Sequence, residues 1–262
     1  MQLEVISHQP KGEARPTPIL FVHGSWHGAW CWENFLPYFA EHGYQSHALS
    51  LRGHGNSEGR DKIIWYSAAR DYVADVDQIV QTLPAPPVII GHSMGGYILQ
   101  RYLETHTAAA GVLLATIPVS GVYRFAIRLL LRHPGPFFKA HLLLNPWYVV
   151  ATPELAQDSF FSPGMPIGEV KRHFDRLGPE SFLMELETLF LALPRPQKVR
   201  TPLLVLAAEN DRAFSVAEQQ ATARAYNTEA EVFPDMAHDM MLELDWQKAA
   251  DRILEWLKER NL

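Results

Sequence analysis

The chain has 262 residues and a mass of 29.7 kDa, which at about 150 residues per domain means one large domain or a core carrying an insert. Apolar residues make up 47% and charged residues 20%, which excludes a disordered chain, and 16 Gly and 19 Pro without a fixed period exclude collagen-like and mucin-like ones. With 23 basic against 29 acidic residues, a net of −6, nucleic acid is not an expected partner, and the single cysteine, Cys31, can form neither an internal disulfide nor a thiolate zinc site.

The first residues, Met1-Gln2-Leu3-Glu4-Val5, lack a basic stretch followed by an apolar one, so no export signal is expected and the reading is cytoplasmic. No apolar run approaches the ~20 residues that span a bilayer. The longest, around Leu129-Leu130-Leu131 and Leu142-Leu143-Leu144, are broken by His, Pro and Asn, so no stable membrane insertion is expected. Four short apolar runs follow in chain order: Ile19–Val22, Val88–Ile90, Gly111–Ala115 and Pro202–Leu206. They read as strands buried on both faces. Between the first two, Tyr72, Val76, Ile79, Val80 and Leu83 form one stripe of an amphipathic helix, and Trp246, Ala249, Ala250, Ile253 and Leu257 do the same near the end. Strand and helix in alternation require crossover connections, hence an α/β fold: a mostly parallel central sheet with helices on both faces. Residues 121–196 break the rhythm, with helical apolar stretches, several Pro and no clear buried strand. They are expected to form a helical cap over the sheet's C-terminal edge, with residues 1–120 and 197–262 as the core.

The strongest local signal is Gly91-His92-Ser93-Met94-Gly95-Gly96, directly after the Val88–Ile90 strand and before the helix-like Tyr97–Tyr102. This is G-x-S-x-G in the context its chemistry requires. Small residues two before and two after let the backbone double back, and the Met94 amide opens a helix N-terminus suited to an oxyanion. A serine hydroxyl is a weak nucleophile, so a base must take its proton and a third group must orient the base. Asp211 follows the strand ending at Ala208, and His238 follows the short strand Glu231–Phe233, an order of serine, acid, histidine. Glu209, Asp235 and Asp239 are rival acids, and twelve histidines compete for the base. His92, beside the serine, reads as a packing neighbour. The loop His23-Gly24-Ser25-Trp26 would bring the Ser25 amide opposite that of Met94 as the second oxyanion donor, with His23 holding the loop by hydrogen bonds.

On these residues, together with Leu51-Arg52-Gly53-His54-Gly55-Asn56-Ser57, the chain resembles the α/β-hydrolase family over most of its length. The stretch His23-Gly24-Ser25-Trp26-His27-Gly28-Ala29-Trp30-Cys31-Trp32 is similar to the plant methylesterase and hydroxynitrile lyase branch, and the elbow is similar to those of esterases and monoacylglycerol lipases. The resemblance implies Ser93, Asp211 and His238 as a triad, Ser25 and Met94 as oxyanion donors, and neither a metal nor an organic cofactor. It departs from the lyases at Gly24, where they carry Thr, and at Asp239, where they carry Lys to stabilise cyanide. It departs from other relatives at Ser50, where they carry Asp. The expected function is therefore hydrolysis of short-to-medium acyl or aryl esters, with Trp26, Phe125, Leu129 and Trp147 expected to bind substrate. Carbon–carbon bond hydrolysis, a lysophospholipase or monoacylglycerol lipase activity, a haloperoxidase-like side reaction and a small-molecule receptor on the same fold stay open. The partner is a small molecule, and the residues leave the oligomeric state undetermined.

Overall fold

A computed structural model describes residues 1–60 and 67–262. Seven strands form one sheet: β1 (Val5–His8), β2 (Ile19–Val22), β3 (Ser46–Leu49), β4 (Val88–His92), β5 (Ala110–Leu114), β6 (Leu203–Ala208) and β7 (Ala230–Phe233). Their order across the sheet is β1-β3-β2-β4-β5-β6-β7, with β1 antiparallel to β3 and every other pair parallel. The strands β2 to β6 have no exposed residue, whereas β1 and β7 at the two edges are only partly covered.

Burial on both faces follows from the side-chain alternation of a strand. Ile19, Phe21, Val88, Ile90, Val112, Leu114, Leu204 and Leu206 point into one apolar layer, and their neighbours Leu20, Val22, Ile89, Leu113, Leu203 and Val205 point into the other. Helices α1 (Phe35–Glu41) and α10 (Trp246–Glu259) cover the first layer, while α2 (Ala69–Val80) and α3 (Met94–Tyr102) cover the second. Tyr72, Val76 and Ile79 are buried on α2 and Ala249, Ala250, Ile253 and Leu257 on α10, as their spacing requires. In the first layer Phe21 meets Trp32, Phe35 and Phe39, with ring centroids 4.9, 6.1 and 5.7 Å away. Truncating such a buried ring typically costs about 3–5 kcal/mol, so this cluster anchors β2 and the loop that leaves it.

Two strands have no apolar run to mark them. On β3, Ser46-His47-Ala48-Leu49 owes its polar content to its neighbour: the His47 ring shares a 2.8 Å hydrogen bond with the Ser7 hydroxyl of β1. Ser50, just beyond β3, donates to Glu4 at 2.6 Å and accepts from the Ala29 amide at 2.8 Å, so a hydroxyl there joins three loops.

Between β5 and β6 the chain forms α4 (Tyr123–Arg132), α5 (Pro134–Leu142), α6 (Pro153–Phe160), α7 (Ile167–Phe174) and α8 (Phe182–Leu186), the last followed by a π-turn over Glu187–Leu191. Helix α9 (Val216–Ala225) lies between β6 and β7 and starts at a capping box in which Ser215 and Glu218 bond each other's backbone amides. Among the described residues no helix is long and apolar enough to cross a membrane.

Candidate active site

A parallel sheet delivers the residues that follow its strands to one edge, and this geometry brings three distant side chains together. Ser93 follows β4, the central strand, Asp211 lies three residues beyond β6, and His238 lies five beyond β7. The His238 Nε2 atom is 2.9 Å from Ser93 Oγ, and its Nδ1 is 2.8 Å from Asp211 Oδ2. The other Asp211 oxygen accepts from the Ala213 and Phe214 amides at 2.7 and 2.9 Å, which fixes the carboxylate and obliges Nδ1 to carry the proton.

Ser93 has φ +51° and ψ −114°, a conformation that L-residues rarely hold and that packing on all sides must impose. The turn is that tight because α3 starts at once. A Cβ on Gly95 would stand 2.2 Å from the Val22 carbonyl oxygen, so only glycine lets α3 approach β2 this closely. As the first residue of α3, Met94 presents its amide without an intrahelical acceptor. Ser25, in the loop after β2, lines the same cavity as Ser93, Met94 and His238, and among the described residues no protein acceptor meets the Ser25 or Met94 amide.

Burial alone would depress the basicity of His238. The charge and hydrogen bond of Asp211, helped by Asp239 farther off, outweigh it and leave the imidazole above its ordinary value. His92 behaves oppositely: burial, then the nearby His238, push it down to about 3, so it stays neutral. Its Nε2–H donates to the His238 backbone carbonyl at 3.0 Å. His23 is likewise held neutral by burial, then by His54. Its Nε2 accepts from the Leu51 amide at 3.0 Å, and its Nδ1–H donates to the Gly24 carbonyl at 2.7 Å.

Sequence reasoning missed a buried histidine–carboxylate contact behind these groups. Asp239, weighed above only as a rival acid, faces His27 Nε2 at 3.0 Å, whereas His238 Nδ1 is bonded to Asp211. Although burial opposes the charge, the surrounding histidines, His27 first, keep this carboxylate below its usual range. The other nitrogen of His27 lies 2.7 Å from the Ser25 carbonyl oxygen. The pair thus ties the Ser25 peptide to the residue after His238. Its signal was present as the second histidine of His23-Gly24-Ser25-Trp26-His27, but its partner lies 212 positions away. Glu180 was missed for the same reason. Buried just before α8, it accepts from the Trp26 amide at 3.2 Å and the Tyr72 hydroxyl at 3.3 Å, with His54 Nε2 also 3.2 Å away.

His92, His238 and Asp239 bring potential ligand atoms within 4.8 Å of one another. Both ring nitrogens of His238 are engaged by Ser93 and Asp211, and His92 Nε2 by a carbonyl, so the cluster retains too few free donors for a metal ion.

Beside Ser93 a cavity is walled largely by apolar side chains. Trp26, Phe125 and Leu129 line it. Trp147 does not. The Asn145 side chain caps the short turn Pro146–Val149, and the Trp147 ring packs on Phe174 with centroids 6.0 Å apart, while Pro146 and Val149 face the cavity instead. Phe160 and Phe214 flank the His238 ring.

Among curated relatives, Methylesterase 3 of Arabidopsis thaliana is 34% identical over 94 residues, 35% of each chain. The non-heme chloroperoxidase of Streptomyces lividans is 34% identical over 108 residues, 38% of this chain and 37% of its own. The chain therefore matches only about a third of the length of these relatives. The crystal structure of Paleococcus ferrophilus monoacylglycerol lipase superposes over 98% of both chains with a TM-score of 0.73 at 18% identity, a likeness of fold. The family model described as "Alpha/beta hydrolase family" matches residues 19–252, from the first residue of β2 into α10. With that match spanning six of the seven strands, the serine turn and both loops that meet it, the chain belongs to the alpha/beta hydrolase family.

Proposed function

We propose that the protein is a serine hydrolase that cleaves carboxylic esters through an acyl-enzyme. The observation that carries this reading is the continuous chain Ser93 Oγ, His238 Nε2, His238 Nδ1, Asp211 Oδ2 at 2.9 and 2.8 Å. Ser93 Oγ attacks the ester carbonyl carbon as its proton passes to His238 Nε2. The negative charge that forms on the carbonyl oxygen is held by the Ser25 and Met94 amides, each such donor being worth about 10²–10³ in turnover. Asp211 keeps the imidazole in the tautomer with Nδ1–H and stabilises its cation. The intermediate collapses with loss of the alcohol, which takes the proton from Nε2. Water, deprotonated by the same nitrogen, then attacks the acyl carbon and releases the acid and Ser93. Every step uses side chains, backbone amides and water.

Residues 121–196 act as the cap in this reading, since Phe125, Leu129, Phe137, Val149 and Phe160 all come from it and wall the cavity. A cavity with so apolar a lining suits short-to-medium acyl or aryl groups, with Trp26, Phe125 and Leu129 in contact with them. Ester hydrolysis is favoured over cyanohydrin cleavage by two features. A Cβ at Gly24 would stand 2.8 Å from His92 Nδ1 and 3.0 Å from the Ser93 Cβ, which leaves no space for a hydroxyl-bearing side chain. Asp239 puts a carboxylate, which accepts from His27 at 3.0 Å, where those lyases carry a lysine.

The test is rapid-mixing kinetics with nitrophenyl esters of increasing acyl length. The expected record is a burst of nitrophenol equal to the enzyme concentration, followed by steady turnover. A stoichiometric release without turnover, or no release at any length, would instead favour a receptor on this fold.

A further inference from the structure

The helices whose inner faces wall the cavity turn an apolar face outward. On α4, Tyr123, Ile127 and Leu131 recur every fourth residue on one side, and Leu131 is 77% exposed. On α5 and just after it, Phe138, Leu142 and Leu143 are exposed, Leu142 by 80%. Phe190 and Leu191 join them, because the π-turn adjoins the start of α4 through the bond from the Val122 amide to the Thr188 carbonyl. Solitary exposed apolar residues are ordinary, but a continuous set of this size marks a surface that something covers.

Charge identifies the occupant. The chain carries a net charge of −6, yet between Glu104 and Glu154 it has no acidic residue, and its cations there, Arg124, Arg128, Arg132 and Lys139, all lie on α4 and α5. Arg128 pairs with Glu218, and Arg132 shares Asp158 with His133 and Arg212. Arg124 and Lys139 are exposed, lie against the rings of Tyr123 and Tyr148, and have no carboxylate partner among the described residues. An apolar helix face flanked by free cations suits a surface of hydrocarbon below anionic groups. A second copy fits worse, because a twofold contact through this face sets the cations of one protomer near those of the other.

We propose that the outer face of α4 and α5, with Phe190 and Leu191, docks the protein reversibly on an anionic lipid surface, lying on it without crossing it. The docked helices are those whose inner residues Phe125, Leu129 and Phe137 wall the cavity beside Ser93, so an apolar molecule dissolved in the lipid meets that wall first. Docking does not depend on the hydrolytic reading and is measured without it.

The experiment is co-sedimentation of the full chain with phosphatidylcholine vesicles, with and without 30% phosphatidylglycerol. The expected result is at least about tenfold stronger partition onto the anionic vesicles, lost on raising the salt concentration. Leu131→Ser with Leu142→Ser, and separately Arg124→Gln with Lys139→Gln, should each cut that partition about tenfold without lowering Tm. Absent partition, or partition unchanged in both variants, overturns the proposal. So does light scattering that shows a dimer in solution which the leucine variant dissociates, since a second copy then covers the face.

Discussion

Ser93→Ala lowers kcat on a nitrophenyl ester by at least ~10³-fold while the protein stays folded, because members of such a unit act together and removing one removes most of their joint effect. The hydroxyl contributes only its hydrogen bond to His238, and alanine meets the same φ of +51° that serine already tolerates, so Tm should move little. Steady-state kinetics beside a thermal melt checks both halves. A variant that keeps most of its turnover would show that the Ser93 hydroxyl is not the nucleophile, whatever its geometry.

The second large effect is expected from Asp211→Asn. The carboxylate accepts from His238 Nδ1–H at 2.8 Å, and an amide that donates there instead stabilises the wrong tautomer, a change worth about 10⁴-fold in kcat where the same arrangement operates. The pH profile adds a second readout. Catalysis needs neutral His238, so kcat/KM falls on the acid side, and because Asp211 raises the basicity of the ring the wild-type midpoint lies above that of a free imidazole. Removing the Asp211 charge leaves burial to act against Asp239 alone, and the midpoint moves to lower pH. Glu209→Gln is the control. Glu209 is exposed and accepts from the Asp235 amide at 3.3 Å, far from the imidazole, so turnover should stay near wild type. Equal losses in the two variants would reopen the choice of acid.

Why these residues and not their rivals were legible in sequence has a physical basis. Ser93 announces itself because its turn demands small residues at fixed offsets, and the same crowding shows as the 2.2 Å approach at Gly95. Asp211 and His238 were placed by topology, since residues just beyond parallel strands share an edge. The central strands were readable as apolar runs because both their faces are covered. β1 and β3 were not, because their polar residues find each other across the sheet, as Ser7 and His47 do. The pair His27–Asp239 and the carboxylate of Glu180 gave no local pattern, because a buried charge is compensated by partners brought near only by folding. Trp147 looked like a pocket aromatic from composition alone. Which way a ring turns depends on the cap of its short turn, a detail that no periodicity carries.

The Asp239–His27 contact also gives the site its rigidity. The loop that carries the Ser25 amide and the loop that carries His238 are joined by the buried His27–Asp239 hydrogen bond at 3.0 Å, and the His92 ring donates to the His238 backbone carbonyl. Donors that stabilise an oxyanion act best when already in place before charge develops, and in the proposed mechanism these contacts supply that preorganisation.

The account turns on one oxygen atom being acylated. Peptide mass spectrometry after treatment with a fluorophosphonate, which phosphonylates activated serine hydroxyls, reads this directly. The adduct should sit on the peptide containing Ser93, form stoichiometrically, and disappear in His238→Ala. An adduct on any other serine, or unchanged labelling of Ser93 once the imidazole is gone, would contradict it.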